Sequence, residues 1–174
     1  SGQEHDPAHI LEQLHENVRS VLCQKHDRSQ SRDGMEVALC KINRDFSQMV
    51  FAGANRPLYL LSDNNDEPLT LIRPTRKGIG GKQREEKREF ENFNIELSAY
   101  SSFVILTDGF VDQNNSENRK FGSKHLKEIL VDSRAQSASN QKKILLDNLS
   151  KHKENETQRD DITLIGVKFK QSKE

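Results

Sequence analysis

Apolar residues are scarce in this chain of 174 residues. They make up 32% of it, charged residues make up 31%, and the mean hydropathy is −0.87. Ordinary domains are about 45–50% apolar with glycine counted, and the 9 glycines here do not close that gap. The chain therefore has a thin core, is partly disordered, or is an incomplete piece of a larger domain.

The chain also has no excess of positive or negative charge. The sequence has 27 Lys and Arg against 27 Asp and Glu, so its formal net charge is zero. Because nucleic-acid binders need basic residues to displace counterions from phosphates, we expect no nucleic-acid partner. No apolar run reaches about 18 residues, and no apolar stretch follows a basic start, so we expect neither a transmembrane helix nor a signal peptide. We expect a cytoplasmic domain without membrane contact.

Cysteine is rare, and the histidines form no obvious site. Cys23 and Cys40 have no metal-type spacing and lie in apolar-periodic segments, so we expect free, buried thiols in a reducing cytosol. His5 and His9 are four residues apart, but no third ligand accompanies them, and we expect them on the solvated surface. There is no G-x-S-x-G elbow, and the glycines at 78–81 lack the Lys-Ser/Thr ending of a phosphate-binding P-loop.

The order of predicted elements favours an α+β fold with antiparallel sheets. Asp6-Pro7 predicts the start of a helix, because an acceptor side chain is followed by a residue without an N–H. Strands are predicted over 35–42, 48–52, 58–61, 69–72, 93–97, 102–107 and 162–169, and two helices after 123 and within 139–151. Strands and helices are thus grouped separately along the chain. The charged run 84–88 is expected to be a solvated loop, and 112–122 a polar, mobile segment.

Aspartates follow one predicted strand and precede another. Asp108 ends the strongest strand, and Asp160 and Asp161 begin the last one. If these strands pair antiparallel, the carboxylates of Asp108 and Asp160 lie at the same sheet edge, where they repel unless a cation lies between them. Mg²⁺ and Mn²⁺ prefer such oxygen ligands. The alternative is that each aspartate is an ordinary turn residue.

Five segments together resemble the C-terminal portion of a SpoIIE-type, RsbU-like serine phosphatase domain of the metal-dependent PPM (PP2C-like) superfamily. They occur in the family's order at 33–39, 51–59, 78–90, 107–110 (T-D-G-F) and 160–163 (D-D-I-T). The resemblance implies a SpoIIE-type domain over 3–170. The residues themselves lead us to expect an expression scar at 1–2 and a polar tail at 171–174. The resemblance also implies an α-β-β-α sandwich of antiparallel sheets with two Mn²⁺ or Mg²⁺ ions at one edge.

The resemblance assigns the candidate site residues. Asp108 and Asp160 match the family's metal ligands and are the predicted catalytic positions. Asp112 matches a position that some relatives use for an additional, weaker metal. Asp161 is the fourth candidate, expected to support the ligands. Asn55 and the glycines at 78–81 are expected to be structural.

One part of the family pattern is missing. The family begins with strands carrying an Asp-x-x-Gly-His-Gly-like motif, and this sequence has none. We therefore expect a domain lacking its first strands and helix, marginally stable or self-associating through an exposed face, and inactive when taken alone.

Two hypotheses follow. The first is a serine/threonine protein phosphatase of bacterial signalling, acting through metal-activated water on a phosphoprotein such as an anti-sigma-factor antagonist. The second is a truncated or degenerate phosphatase fold that binds a protein without catalysis.

Overall fold

The computed structural model describes residues 6–24, 33–83, 85 and 87–169. These residues form two compact units. The first consists of the described parts of Ser1–Leu58 and Ile72–Ser98, and the second of those of Tyr59–Leu71 and Ala99–Glu174. Both units combine helices with antiparallel strands, which confirms the predicted α+β class.

The elements lie close to their predicted positions. The helices are α1 (Pro7–Val21), α2 (Gly109–Asp112), α3 (Ser123–Asp132) and α4 (Ala138–Lys153), with a 3-10 turn at Leu97–Ala99. The strands are β1 (Gly34–Met35), β2 (Val37–Ile42), β3 (Gln48–Ala54), β4 (Leu58–Leu61), β5 (Leu69–Ile72), β6 (Ile79–Gly80), β7 (Phe93–Glu96), β8 (Ser102–Leu106) and β9 (Leu164–Lys168). Among the described helices, none has both the length and the apolar character that crossing a membrane requires.

The first unit places α1 with a small sheet of order β2-β3-β7 and the short pair β1-β6. Asp6 caps α1 as predicted, since its Oδ1 accepts from the N–H groups of Ala8 at 3.0 Å and His9 at 3.4 Å. Leu11 of α1 is buried in one cluster with apolar residues of β3, β6 and the segment before β7. The other buried members of this cluster are Ala8, Ala52, Ala54, Ile79 and Phe90.

The second unit is built on a sheet of order β5-β4-β8-β9. β8 pairs antiparallel with both β4 and β9, and α3 and α4 supply apolar side chains to the same core. Its buried members are Tyr59, Leu61, Val104, Leu106, Phe110, Phe121, Leu126, Ile129, Leu130, Leu145 and Leu149.

Two sequence expectations about single side chains were wrong. Cys23 is exposed, because α1 ends at Val21 and the chain leaves the apolar face there. Cys40 is partly buried, as expected, and burial raises the pKa of its thiol to about 11. Arg88 is buried rather than solvated, since its guanidinium donates to the carbonyls of Gly78, Gly80 and Lys82.

Candidate metal centre

The register of β8 and β9 brings the two aspartate-bearing segments to one end of the sheet. The pairs run from Ser102 with Lys168 to Leu106 with Leu164, so the end of β8 meets the start of β9. This confirms the antiparallel pairing on which the sequence argument depended.

Thr107 extends this pairing by one residue, and its side chain adds hydrogen bonds to the opposite segment. Its N–H donates to the Thr163 carbonyl at 3.0 Å, and its Oγ1 accepts from the Thr163 N–H at 2.9 Å. The same hydroxyl donates to the Asp161 carbonyl at 2.9 Å. The threonine of the T-D-G motif therefore holds the backbone of the D-D-I-T motif.

The surroundings of Gly109 explain why the T-D-G motif has a glycine at this position. A Cβ at this position would lie 2.5 Å from the Asp161 carbonyl oxygen and 3.1 Å from the Asp161 carbonyl carbon. Such an approach is closer than van der Waals contact allows, so any side chain here would push the two segments apart. The backbone of the turn that follows Asp108 and the backbone of Asp161 thus lie directly against each other.

Asp108 lies where β8 gives way to α2. It is partly buried and occupies the residue before the helix, with helical φ and ψ of −67° and −23°. Its carboxylate makes no capping hydrogen bond to α2. Helix capping therefore does not account for an aspartate at this position.

Asp160 and Asp161 are both exposed in the segment that leads into β9, and their hydrogen bonds differ. The Asp161 N–H donates to Oδ1 of Asp160 at 2.7 Å, which orients the Asp160 carboxylate. The Asp160 carbonyl accepts from Nε2 of Gln158 at 2.8 Å. Asp161 thus contributes mainly through its backbone, which binds both Thr107 and Asp160.

Asp112 is the last residue of α2, and its carboxylate forms an ion pair with a lysine of the same chain. Its Oδ1 lies 2.9 Å from Nζ of Lys120, and both side chains are exposed. Lys120 belongs to the segment 112–122, which the sequence predicted to be polar and mobile. In the structure this segment is a hairpin with Gln113, Asn114 and Phe121 buried, and the lone aromatic residue in a polar stretch was the signal for that burial.

The chemistry of these side chains fits a hard divalent cation. Carboxylate oxygens are the ligands that Mg²⁺ and Mn²⁺ prefer, and both ions retain waters when few protein ligands are present. Within the parts of the chain that the structure describes, no group of three or more His, Cys, Asp or Glu side chains converges on one point. Among the described residues, the aspartates of these two segments lie near the edge where β8 ends and β9 begins, and their carboxylates are of the type that such an ion prefers.

Comparison with solved structures gives the fold family. The SiaA-PP2C domain of Pseudomonas aeruginosa superposes with a TM-score of 0.78 at 27% identity, covering 95% of this chain and 61% of that one. The phosphatase domain of SpoIIE from Bacillus subtilis gives 0.58 at 12% identity, covering 95% and 74%. Stp1 from Staphylococcus aureus, a serine/threonine phosphatase, gives 0.57 at 13%, covering 93% and 64%. The chain thus spans about three fifths of the SiaA-PP2C structure. A search of curated proteins gave no match.

Comparison with family models extends over nearly the whole chain. The model for Stage II sporulation protein E (SpoIIE) matches residues 1–170. The match includes both T-D-G-F and D-D-I-T, the segments that the structure brings together. This chain belongs to the SpoIIE family of PP2C-like bacterial serine phosphatase domains.

Proposed function

We propose that the protein containing this chain is a metal-dependent phosphatase that removes phosphate from serine or threonine of a regulatory phosphoprotein in bacterial signalling. One observation carries the proposal. β8 and β9 pair antiparallel, so the segments that carry Asp108 and Asp160 lie at the same edge of the sheet. The Thr107 hydroxyl donates to the Asp161 carbonyl, and Gly109 allows the two backbones to lie in close contact.

Each residue has a definite part in this proposal. Asp108 and Asp160 hold the cation, and Asp161 orients Asp160 through its N–H. A pair of bound Mn²⁺ or Mg²⁺ ions would supply charge neutralisation for the phosphate and activation of an attacking water. The reaction then needs no side-chain nucleophile. With zero net charge on the chain, attraction for the phosphate comes from bound cations rather than from a basic surface.

The partners in this proposal follow from the same chemistry. The substrate is a phosphoprotein, and an anti-sigma-factor antagonist is the candidate that the family resemblance implies. The proposed compartment is the cytoplasm. Self-association through an exposed face remains a prediction, for which the oligomeric state in solution is the measurement.

A second candidate function is a non-catalytic binding module. It is favoured by the finding that, among the described residues, no three candidate ligands converge. In that case the fold would be retained for contact with a protein partner, and the aspartates at the sheet edge would bind metal weakly or not at all.

The experiment compares aspartate variants of the full-length protein in Mn²⁺-dependent hydrolysis of a phosphoserine protein. Asp108→Asn and Asp160→Asn keep the shape of the side chain but remove its charge, and we expect either to abolish turnover. Asp147→Asn, an exposed aspartate on α4, is the matched control and should leave turnover unchanged. Full Mn²⁺-dependent turnover in Asp108→Asn or Asp160→Asn contradicts the proposal. A wild-type protein that binds a partner without any turnover supports the binding module.

A further inference from the structure

Asp112, the candidate ligand for an additional and weaker cation, is paired with an ammonium group. Nζ of Lys120 lies 2.9 Å from its Oδ1. We propose that the ammonium group of Lys120 takes the place of a metal ion beside Asp112 and so weakens the binding of divalent ions at this carboxylate. The inference rests on the proposed function in one respect, namely that Asp108 and Asp160 hold the principal ions.

The backbone of a hairpin brings Lys120 back to Asp112. The Gly122 N–H donates to the Val111 carbonyl at 2.9 Å, and the Phe121 N–H donates to the Gln113 carbonyl at 2.8 Å. A β-bridge pairs Lys120 with Asn114. Lys120 is therefore held opposite the residues that directly follow Asp112, eight positions away in sequence.

His152 in the last turn of α4 fastens both strands of this hairpin. Its Nε2 lies 3.1 Å from the Gln113 carbonyl oxygen and 3.1 Å from the Arg119 carbonyl oxygen. Because both partners are acceptors, Nε2 carries a hydrogen and donates to both. One imidazole thus ties the start of the hairpin to its returning strand.

Aromatic packing anchors the same hairpin. The Phe121 ring lies 5.1 Å from the Phe110 ring, 4.8 Å from that of His125 and 5.2 Å from that of His152. The position of the hairpin is thus set by ring packing around the buried Phe110 and Phe121 and by backbone hydrogen bonds. Since the Asp112–Lys120 ion pair is not what holds it, the charge of Lys120 can be removed without undoing the hairpin.

The ion pair matters for cation binding more than for stability. Its side chains are 63% and 49% exposed, and exposed pairs of this kind stabilise folded proteins little. A divalent ion approaching Asp112 must displace the ammonium or share the carboxylate with it at a separation of a few ångströms. Electrostatic repulsion between the ammonium and the divalent ion, at that separation in a solvent-exposed site, lowers the affinity of Asp112 for the ion by about three- to tenfold.

The test measures Mn²⁺ binding to the full-length protein, with free Mn²⁺ followed by electron paramagnetic resonance. We expect Lys120→Gln to bind Mn²⁺ at an additional weak site, or to tighten weak binding by about three- to tenfold. Lys124→Gln is the matched control, because Lys124 also pairs with an acidic residue, Glu128, on the surface of the same unit, and it should match wild type. Adding Asp112→Asn to Lys120→Gln should remove the gain.

Each outcome separates this inference from the proposed function. A Lys120→Gln protein that binds Mn²⁺ like wild type, or a gain that persists after Asp112→Asn, overturns the role of Lys120. If tight binding is lost in Asp108→Asn while Lys120→Gln gains nothing, only the Lys120 inference fails. If no variant binds Mn²⁺, both fail. An Asp112-dependent gain that persists in an Asp108→Asn background supports the inference independently of the principal ions.

Discussion

The two compact units of this chain bury different kinds of polar group. In the described part of the first unit, ionisable side chains are fully buried, namely His15 at 1% exposure and Arg88 at 8%. The buried polar side chains described in the second unit are all uncharged, and they are Ser102, Gln113, Asn114, Ser133 and Gln141. Three of the four candidate metal ligands of the second unit, Asp112, Asp160 and Asp161, are exposed instead.

Two buried ionisable side chains, the neutral imidazole of His15 and the guanidinium of Arg88, hold the backbone of the loop at 78–82 in the first unit. Nδ1 of His15 accepts from the Gly80 N–H at 3.0 Å, and its Nε2 is 2.9 Å from Oε1 of Gln83, to which it donates. Gly80 has a φ of +72°, and a Cβ there would lie 2.8 Å from Val18 Cγ1, so only glycine fits against α1. Arg88 meets the same loop with a guanidinium that also pairs with Glu85 at 2.6 Å.

The contrast is between ionisable groups that stabilise a conformation and carboxylates for which we propose cation binding. A buried ionisable group that is hydrogen-bonded on all sides fixes a conformation and binds nothing further. The carboxylates of Asp160 and Asp161, in contrast, are exposed to solvent next to a backbone that Thr107 and Gly109 fix. The first unit should therefore respond to pH and charge mutations through stability, and the second through metal binding.

The largest effect is expected from Arg88→Met. The substitution removes the guanidinium donor from the carbonyls of Gly78, Gly80 and Lys82 and the 2.6 Å ion pair from Glu85, at a cost of about 3–5 kcal/mol in free energy of unfolding. Denaturant unfolding measures this loss. Lys87→Met is the control, because the Lys87 side chain is 67% exposed and its removal should change stability far less. Equal losses in the two variants would show that burial of Arg88 is not what matters.

Leu126→Ala is the corresponding substitution in the second unit. Leu126 is fully buried in the apolar core, so we expect a loss of about 3 kcal/mol in free energy of unfolding. Because no charge is involved, the loss should be the same at pH 7.5 and pH 5.5. Leu146→Ala, on the same unit and 51% exposed, is the control and should cost little. A strongly pH-dependent loss in Leu126→Ala would contradict the comparison.

Gly109→Ala tests the contact between the two aspartate-bearing segments. The added Cβ would clash with the Asp161 carbonyl, so we expect a loss of about 1–3 kcal/mol in stability together with weakened Mn²⁺ binding. Gly166→Ala is the matched control in β9, where a Cβ would lie at an ordinary 3.8 Å from Val104 Cγ2. Mn²⁺ binding that is unchanged in Gly109→Ala would show that this close contact does not shape the metal centre.

The smallest effect is the pH response of His15. Burial lowers the pKa of His15, and nearby Arg88 and Arg19 lower it further, while the hydrogen bond that His15 donates to Gln83 and the charge of Glu16 raise it. Because the unfolded state then binds more protons, this contribution to stability is present above about pH 6.5 and declines as pH falls below it. Unfolding free energies at pH 7.5 and 5.5 measure the decline.

A histidine variant isolates this response. His15→Gln should have a smaller pH dependence than wild type, whereas His9→Gln should retain it, because His9 lies on the same helix with its side chain 41% exposed. A His15→Gln protein with the full wild-type pH dependence would assign the response to other groups.

The sequence predicted well what depends on short-range pattern. The Asp6-Pro7 start of α1 follows from capping chemistry and is confirmed. The antiparallel pairing of β8 with β9, which the sequence analysis took as a condition, is also present. His15 could also have been identified as buried, because it lies four residues after Leu11 on the apolar face of α1.

What the sequence could not predict depends on partners far along the chain. An arginine within alternating charges resembles a solvated residue, and only the fold supplies the carbonyls of the glycine loop to Arg88. The contact of His152 with a hairpin more than thirty residues earlier has no local signal. The assignment of Asp108, Asp112, Asp160 and Asp161 to a metal centre stays a prediction.

The most direct test is a double-mutant cycle on Mn²⁺ affinity in the full-length protein, with Asp108→Asn, Asp160→Asn and the two combined. If both carboxylates hold one ion, each single substitution weakens binding by about tenfold or more, and the combined variant binds little worse than either single one. Losses that simply add would mean that the two aspartates act at separate sites. Unchanged affinity in either single variant would contradict the assignment of that aspartate to the metal centre.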